Sequence, residues 1–336
     1  MFKKFFFYKT PNFWANKNFL SYLFLPLSFI YYIGFFTIKK ISKPKKVNIP
    51  IICIGNIIAG GSGKTPTAIA IGKILQQNNI NFAFLTRGFG SKNSKNVIKI
   101  TKNENIKKYS FDKFGDEPLL LKDYADTYIS KNRFLASKKI ENNKNYQAII
   151  LDDGFQNNSI KKDFSILVID SKIGFGNQFL IPAGPLRESI KHGLSKANLI
   201  IIIGEKNLAL EHKIKDSAID KTLIYASIKA NNLSDFYDKK IVAFCGLAYP
   251  KKFFSFLLKE KLNVVRTFDF PDHYPYSKND IEKLLKISKD NGALLLTTKK
   301  DWVKISDCYK NDIKYLDIFL DINNHDLIIK KLKSIL

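Results

Sequence analysis

Cysteine is scarce in this chain of 336 residues: the three, Cys53, Cys245 and Cys308, lie far apart and form no C-x-x-C pair. That excludes a disulfide scaffold and a cysteine-based zinc site, and it suits a reducing compartment. Histidine is nearly as rare, with four residues (His192, His212, His273 and His325). Acidic residues number 30 against 55 basic ones, a formal balance of +25. No internal repeat is evident, and no low-complexity tract beyond a bias to Asn and Lys. Against these shortages stands an ordinary globular composition, 45% hydrophobic and 25% charged, which excludes wholesale disorder. The length suggests two domains.

Lys, Asn and Ile are heavily used throughout, as a compositionally biased genome would produce, so much of the positive balance carries no functional message. A nucleic-acid binder needs Lys and Arg clustered with aromatics on one face. Such clustering occurs once. Residues 1–46 hold nine Lys, no Asp or Glu, and fifteen of the 45 aromatics. That pattern points to a membrane, and no nucleic-acid partner is expected. Within it, Phe19 to Ile38 is a run of twenty residues without a charge. As a helix it would reach about 30 Å, the thickness of a bilayer's hydrocarbon core. Tyr22, Tyr31 and Tyr32 are amphipathic, and Lys17, Lys39 and Lys40 bracket the run. The run is long for a signal peptide, and no small-residue cleavage site precedes the basic stretch Lys39 to Lys46. With four Lys before the run and five after it, the positive-inside rule does not orient it. Basic flanks and Pro26 mid-run suit a bent helix lying in one leaflet as well as one crossing the bilayer, and a buried core helix is the bland alternative.

The β-branched run Val47 to Gly55 predicts a buried strand. It leads into Asn56-Ile-Ile-Ala-Gly60-Gly61-Ser62-Gly63-Lys64-Thr65, followed by a helical pattern starting at Pro66. A strand, a Gly-rich loop, Lys-Thr and a helix form the arrangement that cradles phosphates. Glycines let backbone N–H groups turn inward, and the helix N-terminus adds partial positive charge. Lys64 would reach the β- and γ-phosphates, and the Thr65 hydroxyl would ligate Mg²⁺. Pro66 suits a first helical turn. The strict G-x-x-x-x-G-K-[ST] pattern is not met, because Ile58 holds the first glycine position. A second metal contact is expected where Ala148-Ile-Ile-Leu runs into Asp152 and Asp153, since carboxylates at the end of a neighbouring strand can hold Mg²⁺ directly or through water. Strands at Phe82–Thr86, Phe164–Asp170 and Leu199–Gly204 alternate with helical patterns near Pro66–Gln77, Glu117–Ala125 and Arg133–Asn142. Such alternation predicts a mostly parallel sheet covered by helices, with ligands outside the strands' carboxyl ends.

These residues resemble the tetraacyldisaccharide 4′-kinase family of the lipid A pathway. The loop Gly55-Asn56 through Gly60-Gly61-Ser62-Gly63-Lys64-Thr65-Pro66 is similar to the family's, so the missing first glycine looks like a family trait. Further similar strings are Thr86-Arg87-Gly88-Phe89-Gly90, Gly115-Asp116-Glu117-Pro118, Leu151-Asp152-Asp153-Gly154-Phe155-Gln156, Pro182 to Glu188, Phe270-Pro271-Asp272-His273-Tyr274 and Thr297 to Asp301. The resemblance implies transfer of the γ-phosphate of ATP, with Mg²⁺, to the 4′-hydroxyl of a membrane-embedded acylated disaccharide 1-phosphate. It implies the cytoplasmic face of the bacterial inner membrane, a hydrophobic N-terminal helix as anchor, and a P-loop domain joined to a smaller α/β domain with substrate between them. No obligate protein partner is evident.

By the same resemblance Asp116 is the general base and His273 the partner that orients it or shares its proton. A carboxylate and an imidazole can tune one another near neutral pH. Without it, Asp116 reads as a helix N-cap before Pro118. Arg187 is expected on the transferring phosphate or the substrate's own phosphate, because its fork of N–H groups suits such oxygens. Glu188 is placed with Thr65, Asp152 and Asp153 among the metal ligands. Arg133 is a weaker phosphate candidate, with a surface salt bridge as its plain reading. His192, His212 and His325 are expected to be structural or solvated. One departure stands out: the family usually has His after Asp-Asp-Gly-Phe-Gln, whereas this chain has Asn157, which carries no proton at neutral pH.

Beyond the catalytic strings, Lys240–Gly246, Asn263–Phe268 and Ala293–Thr298 read as strands, with helices at Pro250–Lys261 and Ser277–Asn291; Ser277 with Asp280 loosely resembles a capping box. The expected division is a membrane-associated segment at 1–46, a P-loop kinase domain at 47–230 and a smaller α/β domain at 231–336. The competing function is a membrane-associated P-loop ATPase or GTPase acting as a switch. Thr297-Thr-Lys-Lys-Asp301 is the nearest string to a guanine-reading N/T-K-x-D element, and it has an extra Lys.

Overall fold

The structure is a computed structural model, and it describes residues 10–88, 96–102, 111–217 and 221–336. Two compact units emerge: a larger one of Pro11–Ile228 with Leu320–Leu336, and a smaller one of Lys229–Phe319 with Thr10. The C-terminal stretch from Leu320 therefore belongs with the larger unit, a correction to the expected 231–336 domain. The reason is physical. The last helix is amphipathic, and Ile328 and Leu332 bury their side chains completely against the larger core.

The larger unit is built on β1 (Ile51–Gly55), β2 (Phe82–Thr86), β3 (Ile98–Ile100), β4 (Thr127–Ile129), β5 (Ala148–Asp152), β6 (Phe164–Asp170), β7 (Leu199–Ile203), β8 (Thr222–Ala230) and β13 (Ile318–Ile322). Their order is β13-β8-β7-β6-β1-β5-β2-β4-β3. From β8 to β4 the pairings are parallel, and β3 runs antiparallel to β4. The central strands are apolar on both faces, which is what a sheet covered on both sides requires. Alternation sorts them: Ile52, Ile54, Ile150 and Ile201 face one core, while Ile51, Cys53, Ile149 and Ile200 face the other. The first core is closed by α3 (Lys64–Gln77), α5 (Asp116–Leu121) and α12 (His325–Lys333); the second by α6 (Arg133–Glu141), α7 (Ile190–Lys196) and α8 (Leu208–Asp216).

The helix expected over 117–125 stops at Leu121. The chain turns there to deliver Asp126, which accepts from Tyr146 Oη at 2.5 Å and pairs with Lys99 Nζ at 2.7 Å, tying β3 and β4 to the segment before β5.

The smaller unit has a four-stranded sheet in the order β10-β9-β11-β12, formed by β9 (Lys240–Gly246), β10 (Asn263–Phe270), β11 (Leu294–Thr298) and β12 (Ile313–Leu316), all parallel. Phe253 and Leu257 of α9 (Pro250–Lys259) cover one face; Ile281 and Leu284 of α10 (Lys278–Asp290) cover the other. The capping box at Ser277 and Asp280 is formed in both directions, so Asp does serve where Glu or Gln is usual.

The uncharged N-terminal run is two helices, α1 (Phe19–Leu23) and α2 (Leu25–Ile41), and Pro26 opens the second rather than bending one long helix. Among the described residues no helix is long and apolar enough to cross a membrane. On the inward stripe of α2, Ser28 Oγ donates to Leu180 O (2.8 Å), Tyr31 Oη donates to Arg187 O (2.9 Å), and Phe35 meets the His192 ring edge-on. Phe29, Ile30, Ile33 and Phe36 point outward, 50% or more exposed. The helix thus turns the hydroxyls of Ser28 and Tyr31 inward and leaves much of its hydrocarbon exposed.

Candidate active site

Between β1 and α3 the backbone turns through Gly60 (φ 109°) and Gly63 (φ 87°), in the left-handed region that favours glycine. A Cβ on Gly63 would also lie 2.4 Å from Ile203 Cδ1. The loop is braced from within by Asn56 Nδ2, which donates to Ser62 Oγ at 2.6 Å. From the side, Gln156 Nε2 donates to Asn56 O at 2.7 Å, and Arg187 N donates to Ile57 O at 2.8 Å. Ile58, at the missing first glycine, is buried and bridges Leu186 in an antiparallel register. This extended pairing with the Pro182–Glu188 segment explains why no glycine is needed there. Thr65 Oγ1 donates to Asp152 Oδ2 at 3.0 Å, from the first turn of α3 to the end of β5.

Asp152 is fully buried, and its Oδ1 has no hydrogen-bond partner. Burial, followed by the charge of Asp153, raises its pKa, outweighing Lys64 and the Thr65 bond. Asp153 has φ 50°, an uncommon backbone state for a non-glycine residue and one that gathers at functional sites. Burial would raise its pKa too, but Lys64, Arg187 and Arg133 together hold it below the usual carboxylate range. Lys64 Nζ lies 3.8 Å from Asp153 Oδ1, and Arg187 donates to the same oxygen and to Gln156 Oε1, each at 3.2 Å. Among the described residues no cluster of three or more His, Cys, Asp or Glu could enclose a metal. An orphaned carboxylate oxygen beside a hydroxyl and a second carboxylate is nonetheless a donor set that fits Mg²⁺, which dehydrates reluctantly and takes its other ligands from phosphate and water.

The same architecture recurs in a solved structure. A crystal structure of LpxK from Aquifex aeolicus in complex with ATP matches with a TM-score of 0.74 at 25% identity, covering 94% of this chain and 99% of that one. The tetraacyldisaccharide-1-P 4′-kinase family model matches residues 20–336. The chain belongs to the tetraacyldisaccharide 4′-kinase family. Curated relatives bearing that name include those of Rickettsia typhi, 36% identical over 96% of this chain and 97% of the relative, and Paramagnetospirillum magneticum, 35% identical over 93% and 94%.

The expected residues divide as follows. Gly60 to Thr65, Asp152, Asp153 and Arg187 come together at one edge of the large sheet. Pro66 lies in the first turn of α3. Asp116 is buried at the start of α5, which packs beside α3. Gly115 rather than Asp116 occupies the cap position, and Glu117 N–H donates to Asp116 Oδ1 at 3.0 Å. His273 belongs to the smaller unit, in the turn after β10 at φ 57°, with Lys300 Nζ 3.5 Å from its Nε2.

Glu188, expected among the metal ligands, has His192 Nδ1 and Lys196 Nζ each 2.5 Å from its Oε2, and Gln156 Nε2 donates to its Oε1 at 2.9 Å. Burial would raise its pKa, but these cationic and donor partners lower it instead. Arg133 is no surface residue. It is buried, donates to Ser130 O, and its pKa is lowered to about 10, by burial first and then by Arg87. The guanine-reading alternative loses its acid as well. Asp301 accepts from Gly246 N, Thr298 Oγ1 and Tyr276 Oη and pairs with Lys304 at 2.6 Å, so both oxygens are engaged.

His192, Lys196 and Gln156 were missed as site residues. For His192 and Lys196 the signal was in the spacing, since they follow Glu188 at intervals of four residues, across the start of α7.

Proposed function

We propose that this chain transfers the γ-phosphate of ATP to the 4′-hydroxyl of a tetraacyldisaccharide 1-phosphate, working at the cytoplasmic face of the inner membrane. The observation that carries the reading is the Thr65–Asp152 pair closing a Gly-rich loop between β1 and α3, in a chain that matches this family over nearly its whole length. Lys64 and the N-terminal amides of α3 hold the β- and γ-phosphates, and the fixed positive charge costs no reorganisation as negative charge shifts. Thr65, Asp152 and Asp153 would hold Mg²⁺, which when bound neutralises phosphate oxygens. Arg187, already paired with Asp153, orients the transferring phosphoryl group or the acceptor's own phosphate.

Asp116 takes the proton of the attacking hydroxyl. A buried carboxylate whose Oδ1 accepts from a helix N–H is suited to take a proton from an alcohol delivered to it. His273 assists that proton transfer. The acyl chains of such an acceptor sit in a bilayer, and the exposed hydrocarbon of α1 and α2 supports a protein lying at that surface.

The test is direct: incubate the protein with labelled ATP, Mg²⁺ and the acylated disaccharide, and follow label into lipid. Lys64→Ala and Asp116→Ala should each lower transfer by about 10²-fold or more while the melting temperature stays near wild type. Release of inorganic phosphate with no labelled lipid would favour the switch ATPase and overturn the kinase.

A further inference from the structure

Residues of the apolar helix and of the phosphate site are linked by an unbroken series of polar contacts within the larger unit. Lys39, on the last turn of α2, meets Nε2 of His192 on α7. The other ring nitrogen, Nδ1, lies 2.5 Å from Glu188 Oε2, where Lys196 Nζ sits at the same distance. Glu188 holds Gln156 through Oε1 (2.9 Å), Gln156 Oε1 receives Arg187 Nη1 (3.2 Å), and Arg187 Nη1 reaches Asp153 Oδ1 (3.2 Å). Gln156 Nε2 also donates to Asn56 O, so the same side chain braces the phosphate loop.

We infer that His192 is a positioning residue for phosphoryl transfer: it fastens the seat of α2 to Glu188, and Glu188 sets Gln156 and thereby the direction in which Arg187 meets Asp153. The chemistry of the imidazole is what makes the link work. An imidazole carrying its proton on Nδ1 can serve a carboxylate with that N–H while its Nε2 lone pair accepts from an ammonium, and here Glu188 and Lys39 lie at those two nitrogens. One ring therefore bridges a cation on one helix and an anion at the start of another, which a single amine or carboxylate could not do. The Glu188 carboxylate is wholly buried, so its position is decided by these partners and not by water. Arg187 has two reasons to hold still: its backbone carbonyl accepts from Tyr31 Oη of α2, and its guanidinium rests on Gln156. Helix α2 thus grips the Arg187 segment at two points, and a loss at either shifts a donor that must meet phosphate within tenths of an ångström.

This inference rests on the kinase reading above, and its test keeps the two separable. His192→Ala, Lys39→Met and the double variant are assayed as full-length protein in detergent micelles with the acylated disaccharide and Mg·ATP. His192→Ala should lower kcat about tenfold while KM for ATP changes less than about threefold, the mark of misdirection rather than lost binding. Lys39→Met should lower kcat by a smaller factor, and the double variant should be no worse than His192→Ala, because both act through one link. His192→Gln, whose amide can still donate to Glu188, should recover most of the rate.

The Mg²⁺ concentration for half-maximal binding of a fluorescent ATP analogue should shift in the same order, since Arg187 shares Asp153 with the metal site. Wild-type kcat and Mg²⁺ dependence in a stably folded His192→Ala protein, or additive losses in the double variant, would overturn the inference. Should His192→Ala fail to fold, Lys39→Met and His192→Gln decide by the same measures. If the wild-type protein labels no lipid at all, the kinase reading fails, and the binding titration still judges the link.

Discussion

At the scale of single residues, Asp152 shows how a site is held in tension. Its carboxylate is buried beside Asp153 with one oxygen unpartnered, so burial and a like charge both oppose its ionised form. Replacing it with Asn keeps the shape and removes one of two crowded charges. In the absence of Mg²⁺ the Asp152→Asn protein should melt above wild type, by about 2–4 °C for each kcal/mol relieved in a domain of this size. The same change should cut phosphoryl transfer by about 10²-fold, because the charge that destabilises the empty site is the one a divalent cation needs. Calorimetry in EDTA and labelled-ATP turnover check the two halves; a lower melting temperature with intact activity would contradict both. Asp152, Thr65 and Lys64 were legible in the sequence because a phosphate loop is local: a strand, a few glycines and a helix start place it within ten or so residues. The surroundings of Glu188 were only partly legible, because four-residue spacing suggests neighbours and does not say which buried groups face them. His192 and Lys196 lie on α7, four and eight residues after Glu188, and the packing of α7 brings both side chains to the Glu188 carboxylate.

Among elements, α2 is the most unusual. Twenty uncharged residues announced an apolar helix, yet composition does not tell which side of it meets protein. The structure turns Ser28, Tyr31 and Phe35 inward, at spacings of three and four, and leaves Phe29 and Ile33 outward at 65% and 50% exposure. The break before Pro26 and the inward hydroxyls make a helix laid along a surface, with its hydrocarbon available to acyl chains. Phe29→Asp with Ile33→Asp changes only the outward face, so the melting temperature should hold. Each charge opposes insertion by about 2.5–3.5 kcal/mol at full depth and less near the headgroups, so co-sedimentation with phospholipid vesicles should fall at least tenfold. Undiminished vesicle binding in the doubly substituted protein would show that the face does not enter lipid.

For the molecule as a whole, the instructive feature is the return of the chain. The alternating strands and helices were readable one by one, because each β-branched run and each amphipathic pattern is a local signal. Their division into units was not, because it depends on which core the last helix covers. After the smaller unit ends at Phe319, the chain completes β13 at the edge of the nine-stranded sheet and lays α12 on α3, the helix that opens with Lys64 and Thr65. Ile322, Ile328 and Leu332 lose nearly all their exposure there. Burying three such side chains contributes about 5–9 kcal/mol, comparable to the entire stability margin of an ordinary domain. A protein ending at Phe319 would keep every residue of the phosphate loop and of the smaller unit's sheet. It should nevertheless lose cooperative melting of the larger unit and, with it, the Mg²⁺-dependent binding of ATP analogues. The two conservative changes Ile328→Ala and Leu332→Ala should each destabilise by about 2–5 kcal/mol without touching the nucleotide. If the truncated protein melted and bound nucleotide as the full chain does, α12 would be an appendage, and the larger unit would end where β8 does.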